Sequence, residues 1–241
     1  MAISFVGVGS VTHGVGNITP VAPAYSAPAT LLLCTGIQTS SSSTLTTPGG
    51  WTKQNSTVNG AQAGAFALYD STGGATIPTV NWNGTDTAWG VVLVFSGVDP
   101  SLTASFTPGD RTTSQTRDIA MPSSSRTPAA DGALVIAMGH KRKDSTSNGT
   151  SWGTPSTFSG SGTIATAVSD AQNGTVDAFV IDYWIQNTAT TIAANGTITG
   201  TVTNTTAFNA QCFLFGLAAA TGGVVPYPPM NQGGMIVQVA G

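Results

Sequence analysis

The runs VVLVF, Val91 to Phe95, and AQCFLFGL, Ala210 to Leu217, decide the fold. Successive side chains of a strand point to opposite sides of a sheet, so a run that is apolar at nearly every position has two faces to hide. Such strands lie centrally in a packed sheet, beneath a second layer or another subunit. The stretch NGTITGTVTNTT, Asn195 to Thr206, reads differently. Thr197, Thr199, Thr201 and Thr203 line one side, and Ile198, Gly200 and Val202 line the other. That is a half-buried strand whose outer face carries hydroxyls instead of charges. Flat ice-binding surfaces repeat a Thr-x-Thr row in strand after strand; here the row is convincing once.

Composition agrees with a β protein. Charged residues make up 7% of the chain, against roughly 25% in ordinary globular proteins. There are 38 threonines and no glutamate, which favours pleated surfaces over helices. No stretch keeps a 3.6-residue apolar period with caps. The 241 residues allow one large domain with a real core. Ten strands are expected, near Thr30–Gln38, Trp51–Val58, Ala61–Tyr69, Thr76–Trp82, Ala88–Val98, Gly132–Gly139, Gly162–Val168, Val176–Gln186, Thr197–Thr203 and Ala210–Leu217. Five Asn-Gly pairs, at Asn59, Asn83, Asn148, Asn173 and Asn195, mark candidate tight turns.

An internal echo runs through these strands. LLLCTG, GGWT, GAFALYD and GVVLVFSG succeed one another in the first half; ALVIAMG, SWGT, DAFVIDYW and QCFLFG do so in the second. Leu31 matches Leu134, Trp51 matches Trp152, Phe66 matches Phe179 and Phe95 matches Phe215. The expected fold is therefore all-β: a two-sheet, jelly-roll-like β-sandwich over residues 30–218, with echoing halves 30–100 and 131–218. Residues 1–29, rich in Gly, Pro and Ala, are expected to form an N-terminal arm. Residues 219–241 are expected to form a docking tail, with Val224, Val225, Tyr227, Met235, Ile236, Val237 and Val239 as assembly contacts. An apolar tail of this kind docks on a neighbouring subunit, the segment MIVQV adding to a sheet edge.

Several functions are disfavoured. A net charge of −3 gives no basic field for nucleic acid, and HKRKD, His140 to Asp144, reads as a solvated loop tip. No run reaches the ~18 apolar residues of a membrane span, and the first twenty residues lack the pattern of a secretory signal. The Asn-x-Ser/Thr sequons then follow from composition and are not glycosylation sites. Cys34 and Cys212 sit in apolar runs as buried thiols, to be joined only if their strands are neighbours. His13 and His140 stand far apart with no metal-ligand spacing. Asp177 and Asp182 are an odd offset apart, on opposite faces of one strand. No catalytic residue, metal site or cofactor is expected. Trp82 and Trp89, which bracket the turn NGTDTA, are candidate sugar-stacking residues; Trp51 and Trp152, matched between the halves, read as core.

TPGGWT (Thr47–Thr52), GAFALYDSTGG (Gly64–Gly74) and VVLVFSGVDP (Val91–Pro100) carry a resemblance. This succession is similar to that of jelly-roll proteins encoded by tailed bacteriophages and prophages, over roughly Thr30 to Leu217. The resemblance implies a non-enzymatic virion component, such as a head decoration, spike or tail appendage, made in the host cytoplasm and bound to other virion proteins. Analogy with viral appendages adds a homo-oligomer, with a trimer foremost, whose closure would shelter sheet edges. The alternative is a carbohydrate-binding module of a phage appendage or a surface adhesin.

Overall fold

The computed structural model describes residues 1–37, 45–57, 62–82, 87–115, 119–120, 124–142, 161–171, 177–194, 197–198 and 208–221. Among these, the regular elements are all strands. The first half of the chain supplies β1 (Ser4–Val8), β2 (Thr12–Val15), β3 (Asn17–Ile18), β4 (Ala29–Ile37), β5 (Thr52–Thr57), β6 (Gln62–Asp70), β7 (Val80–Asn81) and β8 (Thr87–Ser96). The second supplies β9 (Gly109–Gln115), β10 (Ile119–Ala120), β11 (Ala133–Arg142), β12 (Ala165–Ala171), β13 (Asp177–Gln186), β14 (Thr197–Ile198) and β15 (Phe208–Leu217).

Each half builds one sheet. The first runs β1-β8-β4-β6-β5, with β2 also on β8; the second runs β12-β13-β11-β15-β9. All these pairings are antiparallel. The two-sheet sandwich read from the sequence is what forms, by a route of its own. Taking the four long strands of each half in chain order, both sheets have the spatial order 4-1-3-2. The fourth strand returns beside the first, as in a Greek key, but the second and third are exchanged. The repeat extends further: β1 flanks β8 as β9 flanks β15, and the small ladders β3-β7 and β10-β14 correspond.

The exchange has a physical consequence. Each half makes two long connections across its own sheet, and these carry the residues that cover its outer face. On the first sheet, Leu31, Leu33, Phe66, Val92 and Val94 lie under Leu45, Trp51, Ile77, Val80 and Trp82 from the β4–β5 and β6–β8 connections. On the second, Val135, Ala137, Val180 and Leu214 lie under Ile164 and Ile192 from its own connections and under Phe106 from the connection between β8 and β9. Between the sheets, Leu32, Cys34, Leu93 and Phe95 meet Leu134, Ile136, Met138, Phe179, Phe213 and Phe215. Full burial of each large side chain contributes about 1.5–3 kcal/mol, so the three apolar layers dominate the stability.

Two expectations are corrected here. Residues 4–18, expected as an arm, belong to the sandwich: β1 and β2 pair along β8, and the Phe5 ring stacks on Tyr183 of the opposite sheet at 4.7 Å. The proline-rich segment that follows places Ala22 and Tyr25 on the outer core of the first sheet. His140 is not at a solvated loop tip. Strand β11 continues through it to Arg142, and its ring is buried with an edge-on contact to Trp89 at 5.6 Å.

The Asn-Gly pairs themselves lie outside the described residues, as does Trp152. Asn59 and Asn173 stand between strands that pair with each other, β5 with β6 and β12 with β13, as hairpin turns require. Asn83, Asn148 and Asn195 stand in connections between strands that do not pair with each other. The echo is also less exact in residues than in topology. Leu31 and Phe66 face outward whereas their matches Leu134 and Phe179 face inward; only Phe95 and Phe215 share a face.

Of the aromatic pairs between the sheets among the described residues, Trp89 on Phe179 is the tightest, with ring centroids 3.7 Å apart and planes within 6°. Gly36, paired with Trp89 across β4 and β8, leaves the room for this: a Cβ there would stand 2.6 Å from Trp89 Nε1. Gly36→Ala should therefore destabilise the fold by about 1–3 kcal/mol through overpacking. The check is the urea unfolding midpoint, and a midpoint equal to that of the parent would show that the ring has room to move.

Candidate docking cleft

Among the described residues no cluster of three or more His, Cys or carboxylate side chains is placed to hold a metal ion. Both thiols are buried, Cys34 between the sheets and Cys212 beneath the cover of the second sheet. Burial pushes the Cys34 thiol far above its ordinary range. His13 and His140, distant in sequence, both adjoin Trp89, one by strand register and one by ring contact.

Asp70 and Gln186 occupy matching corners, each paired with the first residue of its half's leading strand, Ala29 or Ala133. Asp70 Oδ2 accepts from the Tyr25 hydroxyl at 2.6 Å, and its Oδ1 from the Thr72 and Gly73 amides at 3.0 and 2.9 Å. Gln186 Oε1 accepts from Trp184 Nε1 at 2.8 Å, and its Nε2 donates to the Thr190 carbonyl at 3.1 Å. Both residues fasten a connection to its sheet. The Tyr25 hydrogen bond, followed by the Thr72 amide, holds the Asp70 carboxyl well below the usual range.

Asp182 is the exception. It lies on the outer face of the second sheet, fully buried, where Oδ1 accepts from the Thr166 hydroxyl at 2.6 Å. Oδ2 is buried with no hydrogen-bond partner among the described residues. Burial raises its pKa to about 7, opposed by the Thr166 bond.

Both candidate sugar-stacking residues are corrected. Trp82 and Trp89 are buried. Trp82 Nε1 donates to Thr35 Oγ1 at 3.0 Å, and that hydroxyl donates to the Trp89 carbonyl at 2.6 Å. Trp82 thus ties the cover of the first sheet to a central strand, and Trp89 packs between the sheets. Neither ring offers a face to a sugar. Trp51 is core, as read.

The feature that composition did not suggest lies at the pole where β4 and β11 begin. A strip at residues 218–220 leaves β15 and crosses to the first sheet. The Ala218 carbonyl accepts from the Asp99 amide at 2.9 Å, the Ala220 amide donates to the Gly97 carbonyl at 2.8 Å, and the Ala220 carbonyl accepts from the Met1 amine at 2.9 Å. Gly97 has φ 76° and lies where a Cβ would strike the Ala2 carbonyl, so only glycine suits this crossing. The tail read as starting at residue 219 therefore leaves the described fold at Thr221. Val224, Val225, Tyr227, Met235, Ile236, Val237 and Val239 lie outside the described residues.

Two hollows flank the strip, of about 580 and 240 Å³, and Met1, Ala220 and Thr221 line both. Eight residues of the larger are alanine, among them Ala104, Ala129, Ala130 and Ala133. The carboxylates on its wall are engaged: Asp99 Oδ1 accepts from the Ser101 amide at 2.8 Å, and Asp131 Oδ1 from the Ala189 amide at 2.6 Å. What remains is a small-residue cleft suited to apolar side chains. No protein-family model, curated protein or solved structure matches this chain.

The titration of Asp182 gives a sign that can be measured. Its carboxyl keeps its proton in the folded chain to about pH 7 and loses it near 3.8 when unfolded. The native state holds the extra proton between those values, so stability falls as pH rises from about 4 to about 7 and levels off above. At about 1.4 kcal/mol per unit the whole effect is on the order of 4 kcal/mol. Asp70 and Asp99, both lowered, act in the opposite sense and at more acid pH. Asp182→Asn should flatten the fall of Tm between pH 4 and 8; curves for variant and parent that run parallel would remove Asp182 as its source.

Proposed function

We propose that this protein is a non-enzymatic structural subunit of a tailed-phage virion, a capsid decoration, spike or tail component, working through protein–protein assembly. The observation that carries the reading is where the fold gives way to the tail. Thr221, exposed, stands on the rim of the pole clefts, and the twenty residues after it end in the apolar alternation MIVQV. Much of both outer sheet faces is covered by the chain's own connections, which leaves edges, poles and tail for contacts with other subunits. The phage assignment draws its support from the resemblance carried by Thr47–Thr52, Gly64–Gly74 and Val91–Pro100.

The sheet edges differ in their readiness to accept a strand. Register shifts interrupt β1 between Phe5 and Gly7, β5 between Lys53 and Asn55, and β12 between Thr166 and Val168. Bulges of this kind turn an edge away from further pairing. Edge strand β9 pairs with β15 from Gly109 to Gln115 without a shift, and among the described residues β15 is its one ladder partner. In this proposal Met235, Ile236, Val237 and Val239 add as a strand to β9 of a neighbouring copy, main-chain hydrogen bonds giving the affinity. The product is a homo-oligomer, with a trimer as its first candidate. Sugar binding through Trp82 and Trp89 is not carried forward, since both rings are buried.

Deleting residues 235–241 should leave the thermal transition in place and convert the oligomer to monomer, as light scattering at micromolar concentration would register. A truncated chain that keeps its oligomeric state would sink the tail-strand contact. Mass spectrometry of purified particles whose genome encodes the chain should detect it in near-stoichiometric amount. Its absence there would overturn the virion assignment.

A further inference from the structure

We infer that the larger pole cleft is the seat of this chain's own tail root, with Val224, Val225 and Tyr227 of the same subunit filling it. The inference goes beyond the virion reading and does not need it. Three features converge on that occupant. Eight residues of the cleft wall are alanine, whose short side chains leave space for larger ones from elsewhere. Thr221 stands on the rim of that cleft, so the tail starts at the site. The next residues are Gly222 and Gly223, which permit an immediate reversal because glycine adopts positive φ at little cost.

Reach and valence then select the same chain over another. Val224 and Val225 follow Thr221 by three and four residues, a span of at most about 14 Å when extended, which suits a hollow of about 580 Å³ that begins at Thr221. A tethered segment meets its site at an effective concentration near the millimolar range, well above that of free copies at micromolar concentration. The cleft also suits this occupant better than a small polar ligand, because Asp99 and Asp131 already hold loop amides. Pro226 and Pro228 flank Tyr227 and stiffen the chain as it leaves, so the seated root would aim the distal strand outward.

The test uses the full chain carrying Ala130→Cys and Val225→Cys, oxidised at low micromolar concentration. Seating predicts an intramolecular disulfide, seen without reductant as a faster-migrating monomer. A chain with Val15→Cys and Val225→Cys is the control, since Val15 is exposed at the other pole, and it should stay uncrosslinked. A disulfide-linked dimer of the first variant would assign the cleft to a second copy, and failure to crosslink at all would leave it without the tail; either overturns the inference. Truncation after Thr221 should also lower Tm by several degrees, whereas truncation after Gly234 should not. Equal Tm values for the two truncations would count against the seat even if the distal strand proved to assemble as proposed.

Discussion

Everything in this molecule follows from strands that are apolar on both faces and must be covered twice. In a simple sandwich the second cover is water, and the outer positions are polar. Here the chain spends its long connections as roofing, and the 4-1-3-2 strand order makes this feasible because two connections per half must pass over the sheet. The roof is fastened by specific bonds as well as by apolar contact. Trp82 reaches Thr35, Asp70 holds Tyr25, and Gln186 holds Thr190. A buried polar group that failed to find such a partner would cost more than the bond contributes.

The near-identity of the two halves extends from topology to the polar corners but not to the residues in the core. Asp70 and Gln186 do one task with different chemistry, a carboxylate collecting amides and an amide that both accepts and donates. The central strands, by contrast, have changed phase against the simplest sequence match. Burial on both faces explains how this is tolerated, because a slip by one position exchanges one apolar face for another.

That same property set the limits of what could be read in advance. The apolar runs at Leu31–Leu33, Val91–Phe95 and Phe213–Leu217 were legible as buried strands, and the long strands fall within a few residues of expectation. Their facing was not legible, since a run without alternation carries no phase. β9, sequence GDRTTSQ, has the polar and charged make-up of an edge and reads as a loop. Residues 4–18 read as part of an arm because residues 1–29 are rich in Gly, Pro and Ala, although Phe5 packs between the sheets. Trp82 and Trp89 bracket a turn in the sequence, a position that suggests exposure, yet both rings are buried, Trp82 in the cover of the first sheet and Trp89 between the sheets. The cleft was invisible for a simpler reason. Ala2, Ala104, Ala129, Ala130, Ala133, Ala218, Ala219 and Ala220 come together only in space, and none is distinctive alone.

The hydrogen bond from the Met1 amine to the Ala220 carbonyl has a consequence of a different kind. It brings the two ends of the described fold side by side, so the paired halves form a nearly closed ring in which the cut lies at the docking pole. A covalent bridge between Met1 and Ala220, with a new opening between β5 and β6 or between β12 and β13, would be a circular permutant with the same strand neighbours. The chain ends would then emerge at the far pole. Cargo fused there would sit opposite the cleft, and the molecule would become a two-ended connector whose display and attachment surfaces are separated by the length of a strand.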